Sequence, residues 1–371
     1  MAGSPWPTVP LGELCDSERG ITYGIVKVGE FVQGGVPVIR GGDIREGRII
    51  CDDSKRVTEA VSNQFRRTIL RGGEIVLNLI ADPGHSAVVP EELAGHNVSR
   101  DVAVIPLTGA TDVRFVDFFL KSKVAIDWLT ARLQGSVTQK INLGTLRELP
   151  IPTPPIVEQK AIAAMLGAVV DKIELNRRMN ATLEAMARAL FQSWFVDFDP
   201  VRAKADGYDP PGLDDATAGM FSAGFQNSSI GPIPIGWSYG TLGDVGLNSR
   251  RGIPADQIPS DTFYIALEHM PRRCIALGEW EDTADVASGK TAFKKGEILF
   301  GKLRPYFHKV GVAPVDGVCS TDILVLSPKS SEWFGFFLFH VSSDSLIQFV
   351  DQASTGTKMP RTSWGEISQF K

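Results

Sequence analysis

Several common patterns are absent from this 371-residue sequence. Its four cysteines, Cys15, Cys51, Cys274 and Cys319, lie far apart without a CxxC pair, so we expect buried apolar side chains rather than disulfides or a zinc module. No apolar run approaches the roughly 20 residues that cross a bilayer, and the first ten residues lack a signal-peptide core, which favours a cytoplasmic protein. The net charge of −5 does not by itself favour a nucleic-acid partner.

Motifs for catalysis are also missing or incomplete. No GxxxxGK[ST] phosphate loop occurs, which excludes ATP-driven translocation by this chain. Asp209-Pro210-Pro211-Gly212 is similar to a motif of amino-methyltransferases but lacks the aromatic residue that would stack on a flipped base. Glu158-Gln159-Lys160 has the Glu-x-Lys spacing of metal-dependent nucleases, yet it lies at a helix start, where capping is the simpler role. His85 and His96 are too loosely placed for a metal site. We predict neither catalytic nor metal-binding residues.

The sequence contains two diverged copies of one domain. Matching blocks keep their order, at offsets from 231 (Trp6 to Trp237) to 218 (Phe118 to Phe336). Five blocks in register indicate a repeat of roughly 135–150 residues. The other paired blocks are Gly73-Glu74-Ile75 with Gly296-Glu297-Ile298, Arg100–Val104 with Thr321–Val325, and Gly135–Leu146 with Gly356–Ile367.

Each copy mixes strand and helix patterns. Short apolar or alternating runs predict strands, and longer runs predict a helix over Val113–Gln134 and another over Trp333–Gln352. The predicted class is α+β (mixed α/β). The predicted strands are Val36–Ile39, Glu74–Ile80, Val102–Leu107, Glu297–Phe300 and Ile323–Leu326.

Between the copies the pattern is that of one long helix. Thr153-Pro154-Pro155 marks its start, and no proline interrupts it before Phe195. Apolar residues recur at alternating spacings of four and three, which predicts a helix about 55–60 Å long whose seam needs a partner helix. Asn176 and Asn180 lie in this seam, and they either face water or fix the register with the partner. The seam consists of Ile162, Leu166, Val169, Ile173, Asn176, Asn180, Leu183, Ala187, Leu190 and Trp194.

The predicted domains follow from this organisation. Residues 1–152 form the first copy and residues 153–198 the spacer helix. Residues 199–235, rich in Gly, Pro, Ser and Asp, form a connector, and residues 236–371 form the second copy.

Three motifs place this layout near a known family. They are Leu149-Pro150-Ile151-Pro152-Thr153-Pro154-Pro155-Ile156-Val157-Glu158-Gln159, Phe191-Gln192-Ser193-Trp194-Phe195-Val196-Asp197-Phe198-Asp199-Pro200-Val201, and Ser229-Ile230-Gly231-Pro232-Ile233-Pro234-Ile235-Gly236-Trp237. With two copies flanking a long helix, the chain resembles the specificity subunit of type I restriction–modification systems over nearly its whole length.

The resemblance implies a subunit that recognises a DNA sequence and has no catalytic activity of its own. Each copy would be a target recognition domain for one half of a split site in double-stranded DNA. The helices would hold the halves apart and bind methyltransferase subunits. Those subunits would use S-adenosylmethionine, and a restriction–translocase subunit would use ATP and Mg²⁺, so no cofactor is expected in this chain.

One feature departs from the family pattern. Family members usually carry a second proline-led helix after the second copy, whereas this sequence stops at Phe370-Lys371. The expectation is either a truncated chain or a helix supplied by another chain, such as a second specificity subunit. The alternative function is a shortened assembly or decoy subunit, which binds the methyltransferase without forming a complete DNA reader.

The second copy holds the strongest DNA-contact candidates. Lys302, Arg304 and Tyr306 lie in a basic and aromatic stretch after a predicted strand. Arginine pairs bidentately with guanine and tyrosine stacks or reaches phosphate, while a solvated loop is the simpler alternative. The equivalent stretch of the first copy, Asn78–His85, is far less basic. There Asn78 would pair with adenine or cap a turn.

A glycine-led segment precedes the end of each copy and suits a close approach to phosphate. We expect Lys140, Lys358 and Arg361 to touch phosphates, with Asn142 beside Lys140 in the same segment. Arg40, after the strand Val36–Ile39, is a weaker candidate, with a surface salt bridge as its alternative.

Overall fold

The computed structural model describes residues 6–45, 47–51, 55–81, 83–134, 139–229, 231–282, 288–353 and 359–371. The chain divides into two compact units, Met1–Glu174 and Leu175–Lys371. Within the described ranges, no helix combines the length and apolarity of a membrane span. The mixed α/β class is confirmed, because both units combine sheets with helices.

The first unit contains eleven strands in its described part. Its helices before the spacer are α1 (Glu59–Gln64), α2 (Val113–Leu120), α3 (Lys123–Thr130) and α4 (Leu143–Glu148). Its strands are β1 (Thr8–Pro10), β2 (Thr22–Tyr23), β3 (Val36–Ile39), β4 (Ile44–Arg45), β5 (Arg48–Ile49), β6 (Arg56–Val57), β7 (Ile75–Asn78), β8 (Ser86–Val88), β9 (Asn97–Val98), β10 (Val102–Ile105) and β11 (Pro150–Pro152).

The main sheet of the first unit has the order β2-β10-β7-β8 and is antiparallel throughout. All four residues of β7 are buried, as are those of β10. Alternate residues of a strand point to opposite faces, so the sheet lies between two apolar clusters. Ile75 and Leu77 pack with α2, α3 and α4 on one face, and Val76 packs on the other. The full burial of each such side chain stabilises the folded state by about 1.5–3 kcal/mol.

A second, smaller sheet completes this unit. It has the order β6-β3-β9, and β3 pairs with β9 in parallel. Separately, β1 pairs antiparallel with β11, so the first and last strands of the copy are hydrogen-bonded neighbours.

The second unit repeats these parts with additions. Its helices are α6 (Asp199–Ala205), α7 (Asp215–Gly219), α8 (Leu242–Val245), α9 (Phe334–Val341), α10 (Asp344–Ala353) and α11 (Trp364–Ile367). Its strands are β12 (Phe225–Ser228), β13 (Gly231–Pro234), β14 (Gly246–Asn248), β15 (Gly252–Ile253), β16 (Phe263–Ile265), β17 (Glu281–Asp282), β18 (Lys290–Phe293), β19 (Ile298–Gly301), β20 (Val310–Val312), β21 (Gly317–Cys319) and β22 (Ile323–Pro328).

The topology of the second unit matches that of the first. Its main sheet has the order β14-β22-β19-β20, which corresponds strand for strand to β2-β10-β7-β8. Ile298 and Phe300 face one apolar cluster with α9 and α10, and Leu299 faces the other. Its smaller sheet, β15-β18-β21-β16-β17, again contains one parallel pair, β16 with β21. The internal repeat is therefore a repeat of structure.

Two of the helix predictions need correction. Val113–Gln134 is two helices, α2 and α3, and Trp333–Gln352 is also two, α9 and α10. The break has the same cause in both units, because a serine side chain caps the second helix. Ser122 Oγ accepts from the Ala125 amide at 3.3 Å, and Ser343 Oγ accepts from the Leu346 amide at 3.1 Å.

The long helix α5 runs from Ile156 to Phe191 and continues as a π-helical turn over Gln192–Val196. Residues up to Glu174 belong to the first unit and the remainder to the second. The connector predicted at residues 199–235 contains α6, α7 and the β12–β13 hairpin. The domain boundaries given above stay a prediction.

Candidate nucleic-acid interface

The Gly-Glu block of the repeat closes a turn before each central strand, β7 or β19. Gly73 and Gly296 have φ of +79° and +87°, which glycine adopts without strain. Glu74 accepts from the Arg71 amide at 2.9 Å and from Arg19 Nη1 at 2.6 Å. Glu297 accepts from the Lys294 amide at 2.7 Å and pairs with Arg251. The block is thus a structural anchor in both units.

In each unit, two stretches that are far apart in the sequence lie side by side. We call residues 79–85 and 302–309, which follow the central strands, the exit loops. Residues 139–142 and 359–363 are the closing segments. Isolated bridges join Ile80 to Lys140 in the first unit and Leu303 to Arg361 in the second. Each unit therefore has one candidate surface built from both stretches.

The two exit loops share an unusual backbone conformation at equivalent positions. Ala81 has φ of +72° and Arg304 has φ of +51°, although neither residue is glycine. The Ala81 amide donates to Gln139 O at 3.1 Å, and the Arg304 amide donates to Pro360 O at 2.7 Å. Left-handed conformation costs a non-glycine residue about 1–2 kcal/mol, so the surrounding structure must impose it.

In the second unit the exit loop is basic and aromatic. The Tyr306 side chain is 48% exposed and packs edge-on against Phe307, with ring centroids 4.8 Å apart. Arg304 lies over the same Phe307 ring at 5.9 Å. Arg361 Nε pairs with Asp322 at 3.2 Å, and Arg361 is half-exposed, so a phosphate can compete for the guanidinium. Lys358 lies outside the described residues.

Lys302 lines a cleft of about 410 Å³ in the second unit, whose lining mixes polar and apolar side chains. Arg250, two residues after β14, lies on the same cleft, as do three threonines. The threonine hydroxyls and Arg250 suit a sugar–phosphate backbone, and Lys302 can donate to a guanine edge. The polar residues of the lining include Asn248, Arg250, Thr291, Lys302, Thr321 and Thr362.

The first-unit candidates are placed less uniformly. Asn78 is 4% exposed, and its side-chain oxygen accepts from the Ile80 amide at 3.4 Å, which matches the turn-capping alternative. Asn142 is exposed but caps α4 through the Gly144 amide at 2.8 Å. Lys140 is exposed beside Asn142. Arg40 lies over the Phe31 ring at 5.0 Å. Lys140 and Asn142 are thus the exposed candidates of the first unit, whereas Arg40 is partly buried and Asn78 is buried.

A second cleft of about 330 Å³ in the first unit was not foreseen from the sequence. It is lined by β2 and by the start of α4, just as the second-unit cleft is lined by β14 and the start of α11. Tyr23 is 47% exposed there, and the buried hydroxyl of Thr22 has no hydrogen-bond partner within the described ranges. The same cleft is also lined by the polar and charged residues Gln64, Arg66 and Arg67. The only sequence signal was the Arg66-Arg67 pair after Phe65.

The glycine-led stretches that precede the closing segments, residues 135–138 and 356–358, lie outside the described residues. The phosphate contacts of Lys140, Lys358 and Arg361 stay predictions.

The seam of α5 is largely open. Leu166, Val169, Ile173, Leu183 and Leu190 are between 42% and 59% exposed. Asn176 and Asn180 are exposed as well. This face therefore has room for a partner helix.

The two ends of the seam differ from its middle. Ile162 packs partly against the core of the first unit, and Ala187 is partly buried. Trp194 lies in the π-helical turn, and together with Ala187 and Leu190 it lines one cleft. Its ring contacts those of Phe195 and Phe221.

Comparisons with known proteins agree with this architecture. A profile described as "Type I restriction modification DNA specificity domain" matches residues 3–185. The type I restriction enzyme MjaIX specificity subunit of Methanocaldococcus jannaschii is 28% identical over 254 residues, covering 68% of this chain and 54% of that protein. The HindI specificity subunit of Haemophilus influenzae is 30% identical over 284 residues, covering 73% and 60%. The chain spans about half the length of the curated relatives it matches.

One solved structure shares the fold over the whole chain. It is a crystal structure of a type I restriction–modification system S subunit from M. genitalium, at 14% identity and a TM-score of 0.50. The alignment covers 100% of this chain and 84% of that one.

Proposed function

Because the chain belongs to the family of type I restriction–modification specificity subunits, we propose that it reads double-stranded DNA for partner enzymes. Each unit takes one half of a split target. The observation that carries this proposal is the repeated surface, in which an exit loop and a closing segment are joined by a bridge in both units.

Different side chains on this shared backbone support different half-sites. The second unit presents Lys302 and Tyr306, whereas the first presents Lys140 with Tyr23 and Gln64 in the neighbouring cleft. Base edges are distinguished by the donors and acceptors that meet them, so unlike side chains select unlike bases. Cations on both surfaces contact phosphates and fix the orientation of the duplex.

The long helix gives the chain a second role as a scaffold. Its exposed apolar seam would pack against a helix of a methyltransferase subunit or of a second specificity chain. Catalysis then belongs to the partners: a methyltransferase that uses S-adenosylmethionine, and a restriction–translocase subunit that uses ATP and Mg²⁺. This role places the chain in the cytoplasm with the host DNA.

The test uses the chain assembled with the methyltransferase subunit of its own host. Mapping methylated adenines with and without the gene identifies the motif, and binding is measured to a duplex carrying it. Random duplex and a duplex with one base pair added between the half-sites are the controls. We expect preference for the motif, typically about 10³-fold or more over random duplex, and its loss with the altered spacing.

Assembly with the methyltransferase but equal binding to all three duplexes would refute sequence reading. That outcome would leave the shortened assembly or decoy subunit as the function of the chain.

A further inference from the structure

A second basic loop lies against the exit loop of the second unit. Pro271-Arg272-Arg273 is exposed, and the Arg273 amide donates to His308 O at 2.9 Å. The Arg272 guanidinium lies over the Phe307 ring, 4.0 Å from its centroid. Arg272 and Arg304 therefore share one aromatic ring although they are 32 residues apart in the sequence.

The charges around this ring are poorly balanced. Burial lowers the pKa of Lys309 and the nearby charge of Arg272 lowers it further, while the nearby carboxylate of Glu268 raises it. Arg273 pairs with Asp344 at 2.8 Å, but within the described ranges no carboxylate pairs with Arg272 or Arg304. Like charges held together repel, and an anion placed between them removes that repulsion.

Arg304 is partly exposed, so a ligand would meet the open part of its guanidinium. Its Nε is buried and has no hydrogen-bond partner within the described residues. An unsatisfied donor on a charged group is costly, so such atoms are usually paired in native proteins. The neighbouring Tyr306 hydroxyl is on an exposed ring and can donate to the same ligand.

The backbone here is held in an unusual conformation. Arg273, Arg304 and His308 have φ of +55°, +51° and +51°. Such residues cost about 1–3 kcal/mol each and cluster at ligand sites. The conformation is kept by contacts behind the loop, where His308 Nε2 donates to Ser342 O at 3.0 Å and Arg188 donates to the same carbonyl at 3.0 Å. Burial lowers the pKa of His308, which favours the neutral ring.

We propose that Arg272 and Arg304, held over Phe307, bind a phosphate of the DNA backbone beside the contacts made by Lys302 and Tyr306. The site rests on the proposed DNA-reading function and deepens it. Phe307 is a positioning residue, because it orients both guanidinium groups through its ring face. Arg304 then contacts the backbone and not a guanine edge, and Arg272 is a further residue of the interface.

The test is Arg272→Gln in the chain assembled with its methyltransferase. Affinity for random and motif-bearing duplexes is measured over a range of salt concentrations. Losing one phosphate contact should lower affinity about tenfold on both duplexes and reduce the salt slope by about 0.9. Preference for the motif should be unchanged, because a backbone contact carries no base information.

Two variants make the result specific. Arg272→Lys keeps the charge and should retain the salt slope. Arg202→Gln removes another arginine that lies over a phenylalanine of the same unit, 5.4 Å from the Phe225 ring, and should leave affinity and slope unchanged. Thermal unfolding of each variant separates loss of the contact from loss of the fold.

An unchanged slope for Arg272→Gln, or an equal effect of Arg202→Gln, would overturn the phosphate site while the wild-type preference for the motif stands. If the wild-type complex shows no preference, the proposed function itself fails. The two failures are therefore distinguishable.

Discussion

Glu74 and Glu297 hold equivalent turns, but their arginine partners differ in exposure. The side chains of Arg19 and Glu74 are 9% and 6% exposed, whereas Arg251 is 42% exposed and Glu297 is 14% exposed. Removing one member of a buried pair leaves a charge without compensation, while an exposed arginine is solvated by water. The same motif should therefore contribute unequal stability in the two units.

We expect Glu74→Gln to lower the free energy of unfolding by about 3–5 kcal/mol, and Glu297→Gln by about 1 kcal/mol. Chemical unfolding gives the total, and hydrogen exchange in β7 and β19 assigns each loss to its unit. Equal losses in the two units would contradict the dependence on burial.

At the scale of elements, the five longer apolar strands were predictable, whereas the short strands and several helix ends were not. Ile75–Asn78 and Ile298–Gly301 are buried apolar runs bounded by glycine, and this pattern can be recognised in a single sequence without an alignment. The breaks at Ser122 and Ser343 were missed because apolar residues continue on both sides of each serine. The caps are local, but the apolar pattern masked them.

The candidate site was predictable only in part, for a related reason. Tyr306 and its neighbours are basic and aromatic within one short stretch, which a sequence shows directly. Arg272 lies over the Phe307 ring only because the tertiary fold brings two distant loops together. Arg66 and Tyr23 are likewise far apart in the sequence but line one cleft. Such long-range proximity leaves no local pattern.

The exposed face of α5 leads to a prediction about association. Val169 and Leu183 are 57% and 59% exposed on the seam, one in each unit. Val169→Lys and Leu183→Lys should weaken binding to the methyltransferase subunit, or self-association, about tenfold or more, because a charge in a helix–helix seam must be desolvated. Sedimentation velocity with and without the methyltransferase measures the effect.

Ala185→Lys is the matched control, since Ala185 is exposed and lies between seam positions, turned about half a circle away from them. All three variants should keep the wild-type unfolding temperature because the replaced side chains are exposed. Unchanged association of both seam variants would argue against a partner helix on this face.

At the scale of the whole chain, we expect each unit to recognise its own half of the DNA target independently of the other unit. Gln64 lines the first-unit cleft and Lys302 the second-unit cleft. We expect Gln64→Ala to relax base preference in one half of the target only, and Lys302→Ala in the other half only. Each lost base contact should cost about 1–3 kcal/mol of discrimination. Selection from a randomised duplex pool with each assembled variant checks this.

Lys329→Ala serves as a control for charge alone, because Lys329 follows β22 in the second unit and lines neither cleft. If either cleft variant changed both halves together, the assignment of one half to each unit would be wrong.

The pairing of β1 with β11 has a genetic consequence. The copy begins and ends on one pair of strands, and the Leu11 amide donates to Leu149 O at 2.8 Å. In the second unit the Leu242 amide donates to Phe370 O at 2.9 Å, at the corresponding place. Each copy therefore begins and ends at hydrogen-bonded neighbours. If each copy reads one half-site, as proposed, exchange of the segment between those points would replace one half-site and leave the flanking residues unchanged.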